Sequence, residues 1–474
     1  CGRNLLHLRR RTGAEGRLWF QQLHLRGQLL LLLQLRTGHG GHPVQPAGKR
    51  KDHGHRPYRR PQVRRRAGHV RPHRDRRQHR SADHQSRHER TSRWAVRADR
   101  CVCRRAERPQ LRGARCHLHP RGLLRNNTPV RTSKSFGINN IKLENVVIPE
   151  KINEYQNLKI QNENSNVLIT DDVRDFDITY GVGKDLVEQV KNNSNKKLKI
   201  EINGKNEEPV ILDFKLDENN KELVENIFIV ANEGSKADIT IKFSQATKLE
   251  CYHNGILNII AKENANIKIN LVNLLGDITN NFHTIENNID YKANVKYTII
   301  DFGGKNSITN YYSNIIGKNG KNSVYTAYLG GKDNTLDLNY IAELKGEQSK
   351  VKFEAQGALT YNARKHFKGT IDFKRGCKKA VGSENEFCML LSEKAKSLAL
   401  PMLLCSEEDV EGEHSCAAGK IEPKELFYLM SRGINKKDAM KLMVRAKFNK
   451  IIEKIKIEEL KQEIIDEIDR RLEE

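Results

Sequence analysis

The sequence predicts a mainly β fold: a right-handed parallel β-helix, or solenoid, with an α-helical domain at its C-terminal end. Three observations carry this expectation. From about residue 165, short alternating apolar segments are broken by Asn, Gly and Lys turns, the pattern of strands and turns. One turn-and-strand pattern recurs at a near-constant period. After Gly419 the apolar spacing changes from two to three and four.

The first quarter stands apart from this pattern. The formal charge of +25 over 474 residues would suggest an anionic partner, but residues 1–125 hold 33 Lys and Arg against 7 Asp and Glu, leaving 51 against 52 for the rest. Arg outnumbers Lys 31 to 2 there and isoleucine is absent, whereas Lys, Asn and Ile abound afterwards. Arg, Gly, Pro and His have GC-rich codons and Lys, Asn and Ile AT-rich ones. Residues 1–125 are therefore expected to be disordered, and non-native or out of frame; a start at Cys1 agrees with that expectation.

Two functional readings of this stretch are available. Runs such as Arg64-Arg65-Arg66 could neutralise phosphates, making it a basic nucleic-acid-binding tail, although aromatic residues for base stacking are nearly missing. Cys101, Cys103, Cys116, His117 and His119 have zinc-ligand chemistry but fit no finger spacing. The apolar run Leu29 to Leu33 is too short to span a bilayer and has no convincing cleavage site. No membrane segment or export signal is expected. The five later cysteines, Cys251, Cys377, Cys388, Cys405 and Cys416, form no dense disulfide framework, which favours a cytoplasmic setting.

The repeat begins at Gly234-Ser235-Lys236-Ala237-Asp238-Ile239. It returns at Glu263-Asn264-Ala265-Asn266-Ile267, Lys292-Ala293-Asn294-Val295, Gly320-Lys321-Asn322-Ser323-Val324 and Glu347-Gln348-Ser349-Lys350-Val351. Ile239, Ile267, Val295, Val324 and Val351 are taken as equivalent, with Ile211 one step earlier, a period of about 27 to 29 residues. Each unit has too few apolar residues to bury its own face, so stacked units must share a core. A β-sandwich of unrelated strands is the alternative.

The C-terminal region reads as helices. Pro423 occupies a first helical position, acidic residues fill the first turn, and Gly433 is placed to end the helix. Asn435 can cap a second helix, with Asp438 three residues on, burying Ala439, Leu442, Met443, Ala446 and Phe448. Leu460, Ile464, Ile468 and Leu472 recur every fourth residue on a third. The expected divisions are 1–125, an arm over 126–165, the β-helix over 166–420 and the helical domain over 421–474.

These residues also carry a resemblance. Leu400-Pro401-Met402-Leu403-Leu404-Cys405-Ser406-Glu407-Glu408-Asp409-Val410-Glu411-Gly412-Glu413-His414-Ser415-Cys416, followed by Leu426-Phe427-Tyr428-Leu429 and Ser431-Arg432-Gly433-Ile434, resembles the C-terminal signature of the SufB/SufD family of iron–sulfur cluster assembly proteins. Thr128 to Phe136 likewise resembles the start of short SufD proteins. The resemblance implies the same β-helix and helical domain, pairing with a SufB-like paralogue, and docking of a SufC-like ATPase through the helical region, to which Phe427, Tyr428 and Arg432 are assigned. SufB-like sequences have a cysteine six residues before the Pro segment and a Glu directly after the signature His; Ala395 and Ser415 stand here, as in SufD.

The resemblance further implies that His414 acts in forming a transient iron–sulfur cluster shared with SufB, and it admits a flavin in the assembled complex, for which no dinucleotide fingerprint is legible. A neutral imidazole can ligate iron and exchange protons near neutrality. Clusters are held by several thiolates, so His414 cannot anchor one alone. Cys405 and Cys416 could add ligands, yet a cysteine at such positions is commonly buried and inert. Read without the resemblance, His414 is a hydrogen-bonded core or interface histidine, as are His253, His283 and His366. Glu407, Glu408, Asp409 and Glu411 could attract cations but read as a solvated turn.

No nucleophile, acid–base pair or phosphate loop is legible, so the chain is expected not to be an enzyme. Gly317 to Lys321 has the wrong spacing for a phosphate loop. The other readings are a β-solenoid carbohydrate-active enzyme, against which no paired carboxylates recur at one rung position, and nucleic-acid binding through residues 1–125.

Overall fold

The computed structural model describes residues 101–102, 141, 146–173, 177–245 and 249–473. The readings made on residues 1–125, including the cysteine–histidine set, and the Thr128 to Phe136 segment lie outside the described residues, apart from the backbone of Cys101 and Val102.

Among the described residues, nineteen strands lie in two sheets. The first holds β1 (Cys101–Val102), β2 (Leu158–Gln161), β5 (Val210–Leu216), β7 (Lys236–Gln245), β9 (Asn266–Leu274), β11 (Asn294–Asp301), β13 (Lys321–Gly330), β15 (Lys350–Leu359), β17 (Ala380–Leu390) and β19 (Val410–Lys420). The second holds β3 (Val167–Thr170), β4 (Lys196–Ile202), β6 (Glu222–Ala231), β8 (Tyr252–Ala261), β10 (Asn280–Ile289), β12 (Asn306–Ile315), β14 (Thr335–Leu344), β16 (Arg364–Phe373) and β18 (Lys396–Cys405). From β4 onward the chain alternates between sheets, and every strand runs parallel to its neighbour one turn away. This is the parallel solenoid that the period predicts. The antiparallel pairs β2–β5 and β3–β4 close its first turn.

The register corrects the expected equivalences. One inward ladder runs Val210, Ile239, Ile269, Tyr297, Val324, Phe353, Glu384, His414. Ile267 and Val295 do pair, but Ile239 pairs with Ile269 and Val324 with Tyr297, two residues from the expected partners. A slip of two keeps a side chain on its face, which is why the apolar pattern concealed it. Ile211 is wrong by one and lies on the opposite face; Val210 holds the inward position.

The corners explain why the turns are legible. Gly234, Asn264, Lys292, Asn319, Gln348 and Lys379 all adopt left-handed backbone, with φ between 53° and 65°. Each turns its N–H along the solenoid axis to the carbonyl of the next turn, Asn264 to Tyr291 at 2.9 Å and Asn319 to Glu347 at 2.8 Å, for example. The strain of a non-glycine residue there, about 1 kcal/mol or more, is offset by satisfying a corner donor.

Two elements cover the outer faces. α1 (Lys184–Asn193) packs Leu186 and Val190 against Val224, Ile256 and Phe282 of the second sheet. The segment from about residue 165 reads as strands and turns, and this helix corrects that expectation; Leu186, Val187 and Val190 give only one short apolar stripe.

At the other end, α2 (Pro423–Ser431), α3 (Lys436–Ile452) and α4 (Glu458–Glu473) follow as expected, with Gly433 at φ 85° and the Asn435 side chain accepting the Asp438 N–H at 2.9 Å. Val444, Phe448, Ile451, Ile464 and Ile468 bury against Ile300, Phe302, Ala327 and Leu329 of the first sheet. Leu442 and Leu472, expected in the core, are half-buried, and Val444 and Arg471 lie deeper. No helix among the described residues is long and apolar enough to cross a membrane.

Candidate functional site at the open end of the solenoid

The solenoid interior changes character along its axis. Aliphatic rungs give way to a tyrosine and phenylalanine stack, with Tyr297, Tyr311, Tyr340, Phe353 and Phe367 in ring contact at 5.2 to 6.1 Å. The last turns are polar. Lys365, fully buried on β16, crosses to Glu386 of β17, Nζ to Oε1 at 2.7 Å, and the Tyr328 hydroxyl donates to the same oxygen. Glu384 sits two residues before Glu386 on the same inward face, also fully buried. Gly369 makes room for it, since a Cβ there would lie 1.8 Å from Glu384 Oε1.

On the next strand, β19, His414 is the rung partner of Glu384 and Cys416 the rung partner of Glu386. The four side chains thus form a two-by-two lattice, about 4.8 Å apart between strands and roughly 7 Å along each strand. Cys416 Sγ approaches Glu384 Oε1 at 3.8 Å. Burial first, and then the Glu384 carboxylate, push the Cys416 thiol well above its usual range, so it rests as a thiol. His414 is half-buried, and its Nδ1 has no hydrogen-bond partner among the described residues.

Among the described residues no strand continues beyond β18, whose residues from Ser397 to Leu403 are half-exposed, and the outer edge of β19 meets the two residues of β1, at Gly412 and Glu411. An inward-facing polar rung therefore ends on an open edge.

The structure brings together His414 and Cys416 and sets Cys405 apart. Cys405 is exposed at the end of β18, in the other sheet, where its register partner is Phe373. The acidic run beside it builds a turn: Glu407 accepts the Gly376 N–H at 2.9 Å, which lowers its carboxyl. Phe427, Tyr428 and Arg432 lie together on and just after α2, with Phe427 71% exposed and the Arg432 guanidinium stacked on Tyr428 at 5.4 Å.

Sequence reasoning missed Lys365, Glu384 and Glu386, the two carboxylates standing two residues apart on one strand at different rung positions. Extending the inward ladder one step past Phe353 reaches Glu384 directly, so the signal was present once register is known. Both carboxylates are enclosed and Lys365 neutralises Glu386, unlike the accessible carboxylates of a sugar-cleaving groove. His253 and His283 form a second interior cluster. His253 Nε2 meets Glu225 Oε2 at 2.8 Å, and His283 Nε2 lies 3.8 Å from the other carboxylate oxygen. Among the described residues no three His, Cys, Asp or Glu side chains converge on a point that could hold a metal.

Comparison with known proteins agrees with this architecture. The family described as SUF system FeS cluster assembly, SufBD core domain, matches residues 214–447, from β5 through the open end into α3. The chain is 24% identical over 268 residues to the iron–sulfur cluster assembly protein SufD of Bacillus subtilis, covering 56% of this chain and 61% of that protein. It is 26% identical over 261 residues to an iron–sulfur cluster assembly SufBD family protein of Pyrococcus horikoshii, covering 53% and 56%. A SufBD family protein of Staphylococcus haemolyticus is 21% identical over 249 residues, covering 51% and 52%. The alignments thus span little more than half the length of these relatives. The solenoid, its C-terminal helices and the core-domain match together make this chain a member of the SufB/SufD family of the SUF iron–sulfur cluster assembly system.

Proposed function

We propose that the chain is the SufD-like half of an assembly scaffold, and not itself an enzyme. Its open last turn, β18 and β19, pairs with the corresponding turn of a SufB-like paralogue. The observation that carries this reading is the polar inward rung of Glu384 and His414 ending on an uncovered strand edge, where a second chain would complete both the sheet and the ligand set. His414 then supplies one ligand, or a proton, to a transient cluster whose thiolates come from the partner; the cluster is cargo passed on, not a resident group.

The exposed face of α2 docks a SufC-like ATPase. Phe427 and Met430 stand three apart on one exposed helix face, and Tyr428 with Arg432 gives a rigid aromatic–cation rim, the residue types that dominate interface energetics. Nucleotide hydrolysis belongs to that partner. A reducing, cytoplasmic setting suits the thiols at the open end.

The test is co-purification of the full chain with the SufB-like and SufC-like proteins of the same organism. A complex that loses the SufB-like protein when Leu403→Asp and Ala417→Asp charge the open edge supports the reading. A complex indifferent to both changes, or no association at all, rejects it.

A further inference from the structure

The outer face of the first sheet carries a groove of about 320 Å³ beside the C-terminal helices. Lys296 of β11, Lys321 of β13 and Lys350 of β15 line it, together with the hydroxyls of Ser323 and Ser383. None of the three lysine ammoniums has an ion-pair or hydrogen-bond partner among the described residues. Lys321 and Lys350 are direct register partners, side by side on adjacent strands.

Like charges directly opposite each other in a sheet are destabilising. Several other lysines on this solenoid are matched to acids, such as Lys318 to Glu347 at 2.9 Å, Lys332 to Asp277 at 2.9 Å and Lys374 to Asp372 at 2.6 Å. From residue 126 onward the chain is charge-balanced, 51 basic to 52 acidic, so three unpaired ammoniums lining one groove are a local excess of positive charge. Lys352, paired with Glu354 at 2.8 Å, also lines the groove. Burial holds the Lys454 ammonium below its usual range; the Glu354 carboxylate opposes this, and Lys450, Lys352 and Lys296 add to it.

We propose that this groove binds an oligophosphate, either inorganic tripolyphosphate or the phosphate chain of a nucleotide. Lysine ammoniums act as mobile point charges for phosphate, and the serine hydroxyls supply short-range donors between them. A bound anion removes the repulsion between Lys321 and Lys350. A single-stranded nucleic acid is the poorer fit, because stacking needs open aromatic faces, and the one ring nearby, Tyr325, carries the Lys454 ammonium 3.9 Å from its centroid. This inference is independent of the assembly role.

The experiment is calorimetric titration of the full chain at low salt with sodium tripolyphosphate, with ATP, and with a single-stranded oligonucleotide. The triple variant Lys296→Gln/Lys321→Gln/Lys350→Gln is compared with a control, Arg64→Gln/Arg65→Gln/Arg66→Gln, in the basic first quarter. We expect tripolyphosphate affinity to fall about tenfold or more in the groove variant and to stay unchanged in the control. Tripolyphosphate should also raise the thermal midpoint of the wild type and not that of the groove variant. Equal affinity for both phosphate probes assigns recognition to the phosphates, and tighter ATP binding assigns the groove to a nucleotide. Tripolyphosphate binding that survives in the groove variant, or that is lost in the control instead, overturns the site. Preferential oligonucleotide binding lost in the groove variant replaces the small-ligand reading with a nucleic-acid one.

Discussion

Glu384 and His414 are rung partners on β17 and β19, the last two strands of one inward ladder whose earlier members are Val324 and Phe353. An apolar column thus ends in a carboxylate and an imidazole at the edge where the solenoid stops. Behind them stands Lys365, whose buried ammonium meets Glu386 at 2.7 Å.

Removing one member of this buried pair should be costly. Lys365→Met leaves Glu386 and Glu384 enclosed without a cation, and a loss of about 3 to 5 kcal/mol in urea unfolding is expected. Adding Glu386→Gln should recover part of it, because the Tyr328 hydroxyl can still donate to the amide oxygen. Additive losses in the double variant would show that the two residues are not energetically coupled.

The His253–Glu225–His283 cluster sets a pH dependence. Burial alone would lower His253, but Glu225 outweighs it and holds the imidazolium above the usual value, so this contribution is present at low pH and is lost as pH rises through the raised folded value. His283 is pushed well below its ordinary value, by burial first and the neighbouring His253 second. Its contribution is present above pH of about 6.5 and is lost as pH falls from there towards its depressed folded value. Phe243 packs against both rings. In urea titrations, His283→Gln should flatten the loss of stability between pH 7 and pH 5, and an unchanged slope would contradict the assignment.

Much of this architecture is legible in the sequence, and the places where it is not have physical causes. The corner residues Asn264, Asn319 and Lys292 announce the turns because each needs a left-handed conformation. Strand register is less visible, since a slip of two, as between Ile267 and Ile269, preserves the inward face. The helix at Lys184–Asn193 has too short an apolar stripe to separate from strand writing. The interior charges were hidden for a different reason: Lys365, Glu384 and Glu386 read as surface residues until the strands on either side fix which way they point. His414 was found through resemblance, and Glu384 only through its register.

The C-terminal helices are pinned by one buried cation. Arg471 of α4 donates to Asp277 at 2.9 Å, to the Leu275 carbonyl at 2.5 Å and to the Phe302 carbonyl. Arg471→Met should destabilise the chain by about 3 kcal/mol or more and speed amide exchange in α4 first. Arg471→Lys should rescue little of this, since a point charge cannot replace the forked donors.

Phe427→Asp changes a residue that is 71% exposed, so the thermal midpoint should stay within experimental scatter. Capture of the SufC-like ATPase should drop at least tenfold in a pull-down if α2 is its docking face. Retained capture would move that partner elsewhere on the chain.

The proposed role of His414 would show in the iron and acid-labile sulfide content of the full chain purified anaerobically together with the SufB-like and SufC-like proteins of the same organism, wild type against His414→Ala. If His414 serves the cluster, the complex stays intact in both cases, and iron and sulfide fall together in the variant. An intact complex carrying wild-type iron and sulfide would contradict it.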